Sequence, residues 1–476
     1  MTALVWYRND LRVAWHSPLA TASRSGLPVR ALYLLCERQW DLHEVAPLRR
    51  WYVLASLQEL GEQLARKGIV LDIVDAGDFA KVPERLADYV RQHQVTHLYC
   101  NREYPLNEIR RDRAVAARLR EHQVELCGFD DGMLVPPREL KTGQGGWYTV
   151  FTPYRRQWET RLETRPPQRT SVRSQGEALL FSSPVLQQAI ARCHVPAVLR
   201  EQWQPGEAAA RRRLQSFCEQ ALAHYKRDRD FPALAGTSQL SVALSAGTLS
   251  AAECYSRARE ALSDRNAREG AGVWISELGW RDFYRQIMAN FPRVCRGEPF
   301  RPETGLIQWQ RDKQLFDAWC EGRTGYPLVD AAMRQLRETG WMHNRLRMVV
   351  AMFLTKQLFI DWRWGERFFM QHLIDGDFAA NNGGWQWSAS TGTDAAPYFR
   401  VFNPVRQSQR FDPDGEFIRR WIPALRDLDN KSIHEPWRQP LLAPDYPAPV
   451  VSLGGVKENV TRAFRAAQEI YQAGGQ

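Results

Sequence analysis

No stretch approaches the roughly 18 consecutive apolar residues that a membrane helix requires. The N-terminus, MTALVWYRNDLRVAW, meets charge at Arg8 before a signal-peptide core can form. Both absences predict a cytoplasmic chain that neither enters nor spans a membrane. Cysteine is sparse and scattered: Cys36, Cys100, Cys127, Cys193, Cys218, Cys254, Cys295 and Cys320 include no CxxC pair. A zinc ribbon or a redox motif is thereby excluded, and a 476-residue chain needs no disulfide framework, so reduced thiols are expected. Phosphate-binding glycine patterns are also missing. No strand leads into GxGxxG, and GxxxxGK followed by Ser or Thr does not occur. Lysine is scarce, supplying only eight of 64 basic residues.

Arginine therefore carries a net charge of +10. Its planar fork suits phosphates and ring faces, and the excess allows nucleic-acid binding as well as mere solubility. Aromatic residues are abundant, with 18 tryptophans beside 20 phenylalanines and 15 tyrosines. A wide indole face suits stacking on bases or on a planar cofactor.

Over the first 130 residues, short apolar runs alternate with helical spacing. Runs 3–7, 29–35, 69–74, 96–100 and 124–129 read as five buried strands; 47–67, 81–93 and 107–122 read as helices. Such alternation predicts an α/β domain with a five-stranded parallel sheet covered on both faces. Residues 131–205 are rich in Pro, Gly and Ser and predict a long surface connector with one ordered aromatic patch at 147–158. From 206 to 476 the pattern is helical, a larger all-α domain, with helices expected over 208–225, 250–262, 272–291, 325–338, 341–359 and 364–374.

Chemistry concentrates in that second half. In GVWISELGWRDFYRQI, Trp274, Glu277 and Arg281 fall within about 60° of one another on a helix, with Trp280 further round. The set reads either as an amphipathic helix with a Glu/Arg pair or as a wall that stacks a flat ligand. In WMHNRLRMVVAMFL, Asn344, Arg347 and Met348 share one side, and Arg345 and Arg347 sit in the first turns, against the macrodipole. That placement calls for an anionic partner, a protein carboxylate or a phosphate. Downstream, Asp375 and Asp377 can pair with these arginines, while Asn381, Asn382, Gly383 and Gly384 suit a tight loop. No further ligands cluster there, so no metal is expected. In GTSQLSVALSAGTLS, Thr237, Ser238 and Ser241 read as helix caps or as a diphosphate cradle.

The strings YKRDRDFPALAGTSQLS, WISELGWRDFYR, GRTGYPLVDAAMRQLRETGWMHNRLRM and DGDFAANNGGWQWSASTGTDAAPYFRVFNP together resemble the photolyase/cryptochrome family. They are most similar to its bacterial members that repair cyclobutane pyrimidine dimers, which are carbon–carbon lyases. The resemblance runs from VWYRNDLR to WIPALRD. It implies a Rossmann-like antenna-binding α/β domain, a helical domain holding FAD and binding DNA, and a monomeric bacterial flavoprotein. Its substrate would be damaged DNA carrying pyrimidine dimers, single- or double-stranded.

Carried onto this sequence, the resemblance implies that Tyr225, Thr237, Ser238, Leu240, Ser241, Trp274, Asn344, Arg347, Asp375 and Asp377 hold FAD. Asn381 would face the flavin N5 edge. Glu277, Trp280, Met348 and Trp387 would line the dimer pocket. Arg229, Arg345 and Arg400 would contact phosphates, with Arg281 placed beside them on the DNA side. Trp385, Trp362 and Trp309 would relay electrons to the flavin.

Two related activities are weighed against repair of cyclobutane dimers. A signalling cryptochrome is disfavoured by the short stretch after Pro447 and by Asn381, where plant cryptochromes usually carry Asp. A (6-4) photoproduct photolyase uses paired histidines, whereas His343 is followed here by Asn344 and Arg345. Asn107 and Glu108 resemble the pair that binds a 5,10-methenyltetrahydrofolate antenna. Arg296 follows Cys295 where folate-using relatives often have Lys.

Overall fold

The computed structural model describes residues 1–474. Contacts divide the chain into two compact units: residues 1–223, 238–292 and 374–377 form the first, and residues 224–237, 293–373 and 378–476 the second.

In the first unit, β1 (Thr2–Tyr7), β2 (Val29–Leu35), β3 (Val70–Asp75), β4 (Val95–Asn101) and β5 (Glu125–Phe129) form one parallel sheet in the order β3-β2-β1-β4-β5. Each expected strand is present, with ends displaced by at most one residue. The central β1 has Val5 between Ala31 and Tyr99, and its run ALVWY is buried because both faces are covered. Helices α1 (Pro47–Ala65), α2 (Val82–Gln92) and α3 (Leu106–Glu121) lie in three of the four crossovers, and the short helix Ser17–Ala22 lies in the connection from β1 to β2. Leu86 and Val90 of α2 and Val115 and Leu119 of α3 meet Leu4, Leu32 and Leu98 in one core. Truncating a fully buried leucine such as Leu86 to Ala costs about 2–5 kcal/mol.

The same unit includes helices that follow the connector. Glu207 accepts hydrogen bonds from the amides of Val13 (2.7 Å) and Ala14 (3.1 Å). Gly247 sits at φ +73°, where a Cβ would overlap the Asn9 carbonyl, so glycine is required for conformation and for close approach alike. The connector is more ordered than its composition suggests. Helix α4 (Phe151–Thr164) buries Phe151, Tyr154, Trp158 and Leu162, a helical spacing that outweighs the surrounding Pro and Gly. Helices α5 (Gly206–Gln220), α6 (Ser241–Ala246) and α7 (Arg268–Asn290) complete the parts of this unit that matter below.

The second unit is helical. In α8 (Pro327–Thr339), Leu328, Val329, Ala332, Met333 and Leu336 form the buried stripe. They pack with α9 (Asn344–Met352), α10 (Trp362–His372) and α11 (Phe378–Ala389) around one core. Two expectations are corrected here. The single helix over 341–359 begins only at Asn344, because the His343 ring accepts the Arg345 amide as a cap, and it widens into a π-type turn at Phe353–Gln357. Residues 381–384 are not a tight loop but the interior of α11. Burial overrides propensity there: Asn382 donates to Glu366 Oε1 at 2.8 Å, and Gln386 donates to Asn382 at 3.0 Å. The final helix, α12 (Val456–Ala473), packs Val460 and Phe464 with Ile307.

Candidate functional site

Within the first unit, α7 carries the expected aromatic and charged residues. Trp274 is turned into the core, its ring 4.9 Å from Phe217 of α5. Glu277 and Trp280 are partly exposed. Trp280 is stacked flat on Phe151 at 3.7 Å with 12° between planes, and Phe283 meets its edge at 5.7 Å. A tryptophan held on one face and one edge by neighbouring rings is a rigid platform. The connector's aromatic patch supplies that support, which the sequence reading did not connect to Trp280.

Arg281 departs from its expected place on the DNA side. Its guanidinium donates to the carbonyls of Gly132 (2.7 Å) and Leu244 (3.4 Å), and burial pushes its pKa down to about 10, with Arg285 adding to the shift. A cation committed to backbone carbonyls is a brace and is withdrawn from phosphate contact. Asp377, expected beside the α9 arginines, also accepts from an arginine of α7. That arginine is Arg285, at 2.6 Å, a residue the sequence reading passed over although it lies one turn beyond Arg281.

In the segment ahead of α6, Ser238 Oγ accepts the Leu240 amide at 3.4 Å, while no side chain caps α6 itself. Ser238 thus caps the Leu240 amide locally, while the first-turn amides of α6 have no side-chain cap and suit an acceptor. With Trp274, Asp375 and Asp377 in the same unit, the donor and acceptor set fits a flavin dinucleotide.

Within the second unit, Tyr225 is buried with the Arg229 guanidinium 5.3 Å above its ring. Thr237 and Asn344 are accessible. Arg347 donates to the Met342 carbonyl at 2.9 Å. Arg345 pairs with Asp230 at 2.9 Å, covers the Phe411 ring at 4.5 Å and lies 3.9 Å from Met348 Sδ. The anion this helix start requires is thus partly a protein carboxylate. Burial pushes His343 down to about 4, so its ring is a neutral cap at physiological pH. Arg400 and its neighbour Phe399 are both exposed, and Trp387 is partly so.

Asn381 donates to the Glu366 backbone carbonyl at 2.9 Å. The Glu366 carboxyl, which accepts from Asn382, is pushed up to about 7 by burial, the Asn382 bond opposing. The sequence held one cue to Glu366: it is four residues after Trp362 on the same helix. Trp385 and Trp362 are 2% and 0% exposed, while Trp309 is partly exposed, so the three indoles grade from interior to surface.

At the carboxyl ends of the sheet, Asn107 lies 3.0 Å from His43 through its Nδ2. Burial, with Glu103 adding, pushes Glu108 up to about 7 against the pull of Arg111. Beneath it, Arg8 and Arg111 cover the Trp6 ring at 4.1 and 5.0 Å, and Arg111 meets Glu103 and Asp112 at 2.7 Å. The apolar spacing of β1 gave no sign of this ionic cluster. Cys295 and Arg296 belong to the second unit, where Arg296 is exposed and 3.9 Å from Glu298. Among the described residues, no group of three His, Cys, Asp or Glu side chains is placed to hold a metal ion.

Comparison with known proteins gives this geometry its context. Residues 3–171 match the family described as DNA photolyase, and residues 274–466 match the FAD binding domain of DNA photolyase. A deoxyribodipyrimidine photo-lyase of Escherichia coli is 45% identical over 479 residues, covering 98% of this chain and 99% of the relative. Among solved structures, a class III photolyase from Agrobacterium tumefaciens superposes with a TM-score of 0.88 at 32% identity, covering 98% of both chains. A cryptochrome from Synechocystis superposes with a TM-score of 0.84 at 31% identity, covering 97% of this chain and 99% of its own. With two family matches and a relative spanning its whole length, the chain belongs to the DNA photolyase family.

Proposed function

We propose that this protein is a light-driven carbon–carbon lyase that returns cyclobutane pyrimidine dimers in DNA to separate pyrimidines. The observation that carries this reading is the 45% identity to a deoxyribodipyrimidine photo-lyase over 98% of this chain. A cyclobutane ring offers no acid–base route back to two pyrimidines, so a one-electron donor is needed. When bound, reduced FAD supplies that electron on absorbing blue light.

The protein's own residues bind, orient and tune. Ser238, Leu240 and Ser241, with Thr237 next to them in sequence, would hold the diphosphate. Tyr225, Trp274, Asn344, Arg347, Asp375 and Asp377 would hold the remainder, with Asn381 at the N5 edge. Glu277 would hydrogen-bond the pyrimidine edge and stabilise charge as the dimer accepts an electron. Trp280, Trp387 and Met348 would pack on a dimer flipped from the duplex, which costs little because the lesion already pairs poorly. Arg229, Arg345 and Arg400 would neutralise flanking phosphates. Trp309, Trp362 and Trp385 would pass electrons inward to restore the reduced cofactor.

An antenna of the 5,10-methenyltetrahydrofolate type is the finer part of this reading, supported by Asn107 and Glu108. The carboxyl of Glu108, raised to about 7, would donate as readily as accept toward a pterin edge. The test is the purified protein with dimer-containing DNA, in light and in darkness. Dimers lost only under blue light support the repair reading, and intact dimers with a light-responsive flavin overturn it. An added near-ultraviolet band would support the folate, and its absence after folate addition would remove Asn107 and Glu108 from an antenna role.

A further inference from the structure

The three tryptophans of the proposed relay are all tied to one short stretch of chain, residues 359–365. Trp362 lies within it and opens α10, with Asp361 capping that helix by accepting the Arg363 amide. The Arg363 guanidinium covers the Trp362 ring at 4.8 Å. The segment bearing Trp309 is joined to this stretch by backbone pairing. Gln310 forms an isolated parallel bridge with Ile360, and its amide donates to the Phe359 carbonyl at 2.9 Å. Phe359 also packs on Trp309 directly, ring centroids 5.0 Å apart. It does so from φ +53°, a left-handed conformation that a bulky side chain adopts only when its surroundings demand it.

Trp385 reaches the same stretch at Gly365. This glycine is buried inside α10, and its φ is not positive, so no backbone conformation explains it. A Cβ built there would overlap the benzo ring of Trp385. Glycine in a helix interior is among the least favourable choices, and here its lack of a side chain seats an indole against the helix backbone. Gly365 is three residues beyond Trp362, on the same side of the helix and about 4.5 Å along its axis. Phe369 and Trp319 hold the Trp385 ring from other directions, at 5.0 and 6.0 Å, so the indole has nowhere else to go.

We propose that residues 359–365 are the positioning element of the relay, with Gly365 setting the approach of Trp385 to Trp362 and Phe359 the approach of Trp309. This rests on the relay reading above. In that reading Trp385 would give an electron toward bound FAD, Trp362 would refill Trp385, Trp309 would refill Trp362, and a soluble thiol, oxidised in turn, would refill Trp309. Each transfer slows steeply with separation, so a displaced ring matters even where the fold is kept.

The experiment follows flavin photoreduction in the FAD-loaded protein under blue light with a thiol present, beside dimer repair by protein reduced chemically beforehand. Gly365→Ala is expected to slow photoreduction by about tenfold or more, the scale on which small misplacements act, and to leave pre-reduced repair near wild type. Leu336→Ala, a core truncation elsewhere in the second unit, is the control for general softening and should photoreduce normally. Equal slowing in that control, or a wild-type rate in Gly365→Ala, overturns the inference. If Gly365→Ala does not retain FAD, Phe359→Leu takes its place: a slower rate supports the inference and an unchanged rate overturns it. Trp309→Phe separates the two levels of the argument. A wild-type photoreduction rate in that variant removes the relay reading itself, whereas a slow Trp309→Phe beside an unaltered Gly365→Ala removes only the positioning role.

Discussion

Asp230 holds the guanidinium of Arg345 at 2.9 Å, at the start of a helix where a cation opposes the macrodipole. A DNA phosphate that takes Arg345 must therefore compete with a carboxylate already in place. Removing Arg345 should cost sequence-independent affinity and not lesion preference. Arg345→Ala is expected to weaken damaged and undamaged DNA alike and to flatten log affinity against log salt by about 0.9, one phosphate's share. Asp230→Asn should tighten both DNAs. A salt titration in the dark, on DNA with and without one thymine dimer, checks this. Lost lesion preference at the wild-type slope would move Arg345 into the pocket.

The role proposed for Glu277 is narrower. Glu277→Ala should keep its full complement of FAD yet repair about threefold to tenfold fewer dimers per absorbed photon, the scale of one lost hydrogen bond at about 1 kcal/mol. The measurement is repair yield at saturating damaged DNA. An unchanged yield would take Glu277 out of the mechanism.

Lys356 gives a prediction in pH. It is 1% exposed, donates to the Ala389 carbonyl at 3.1 Å and to Ser390 Oγ at 2.9 Å, and burial pushes it down to about 7. Between about pH 7 and the ordinary lysine range near 10.4, the unfolded chain binds a proton that the folded chain does not. Stability accordingly rises with pH across that window, by up to about 1.4 kcal/mol per unit from this group, and the burden is greatest below pH 7. Lys356→Met should lack that increment. Urea unfolding of both proteins at pH 7, 8 and 9 measures the difference, and parallel profiles would contradict it.

Asp282 tests the first unit's packing. Fully buried, it accepts the amides of Leu134 (2.8 Å) and Val135 (3.1 Å) and the Trp158 indole (3.0 Å) through one oxygen. Asp282→Ala orphans three donors and should cost about 3 kcal/mol or more in denaturant unfolding. A loss below about 1 kcal/mol would mean that water replaces the carboxylate.

The sheet was legible because a buried parallel strand is a continuous apolar run, and Val29–Leu35 was bounded to the residue. Residues 381–384 were misread because Asn and Gly carry local turn signals, while the Glu366 carboxylate that makes them helical lies 16 positions from Asn382. The pocket motifs could be read from their resemblance to a family, but their supports could not. Phe151 under Trp280, Arg285 on Asp377 and the ring against Gly365 are relations between distant positions, and no local period encodes them.

The stacked pair of Trp280 and Phe151 bears on the calorimetry of lesion binding. A loose indole must surrender rotamer freedom when a ligand lands on it, a loss of about 0.5–1.5 kcal/mol for each immobilised side chain. With one face already lying flat on Phe151 and an edge on Phe283, Trp280 gave up that freedom when the chain folded. Replacing Phe151 with alanine would return it, so the variant should bind a dimer with a more unfavourable entropy although Phe151 need never touch the DNA.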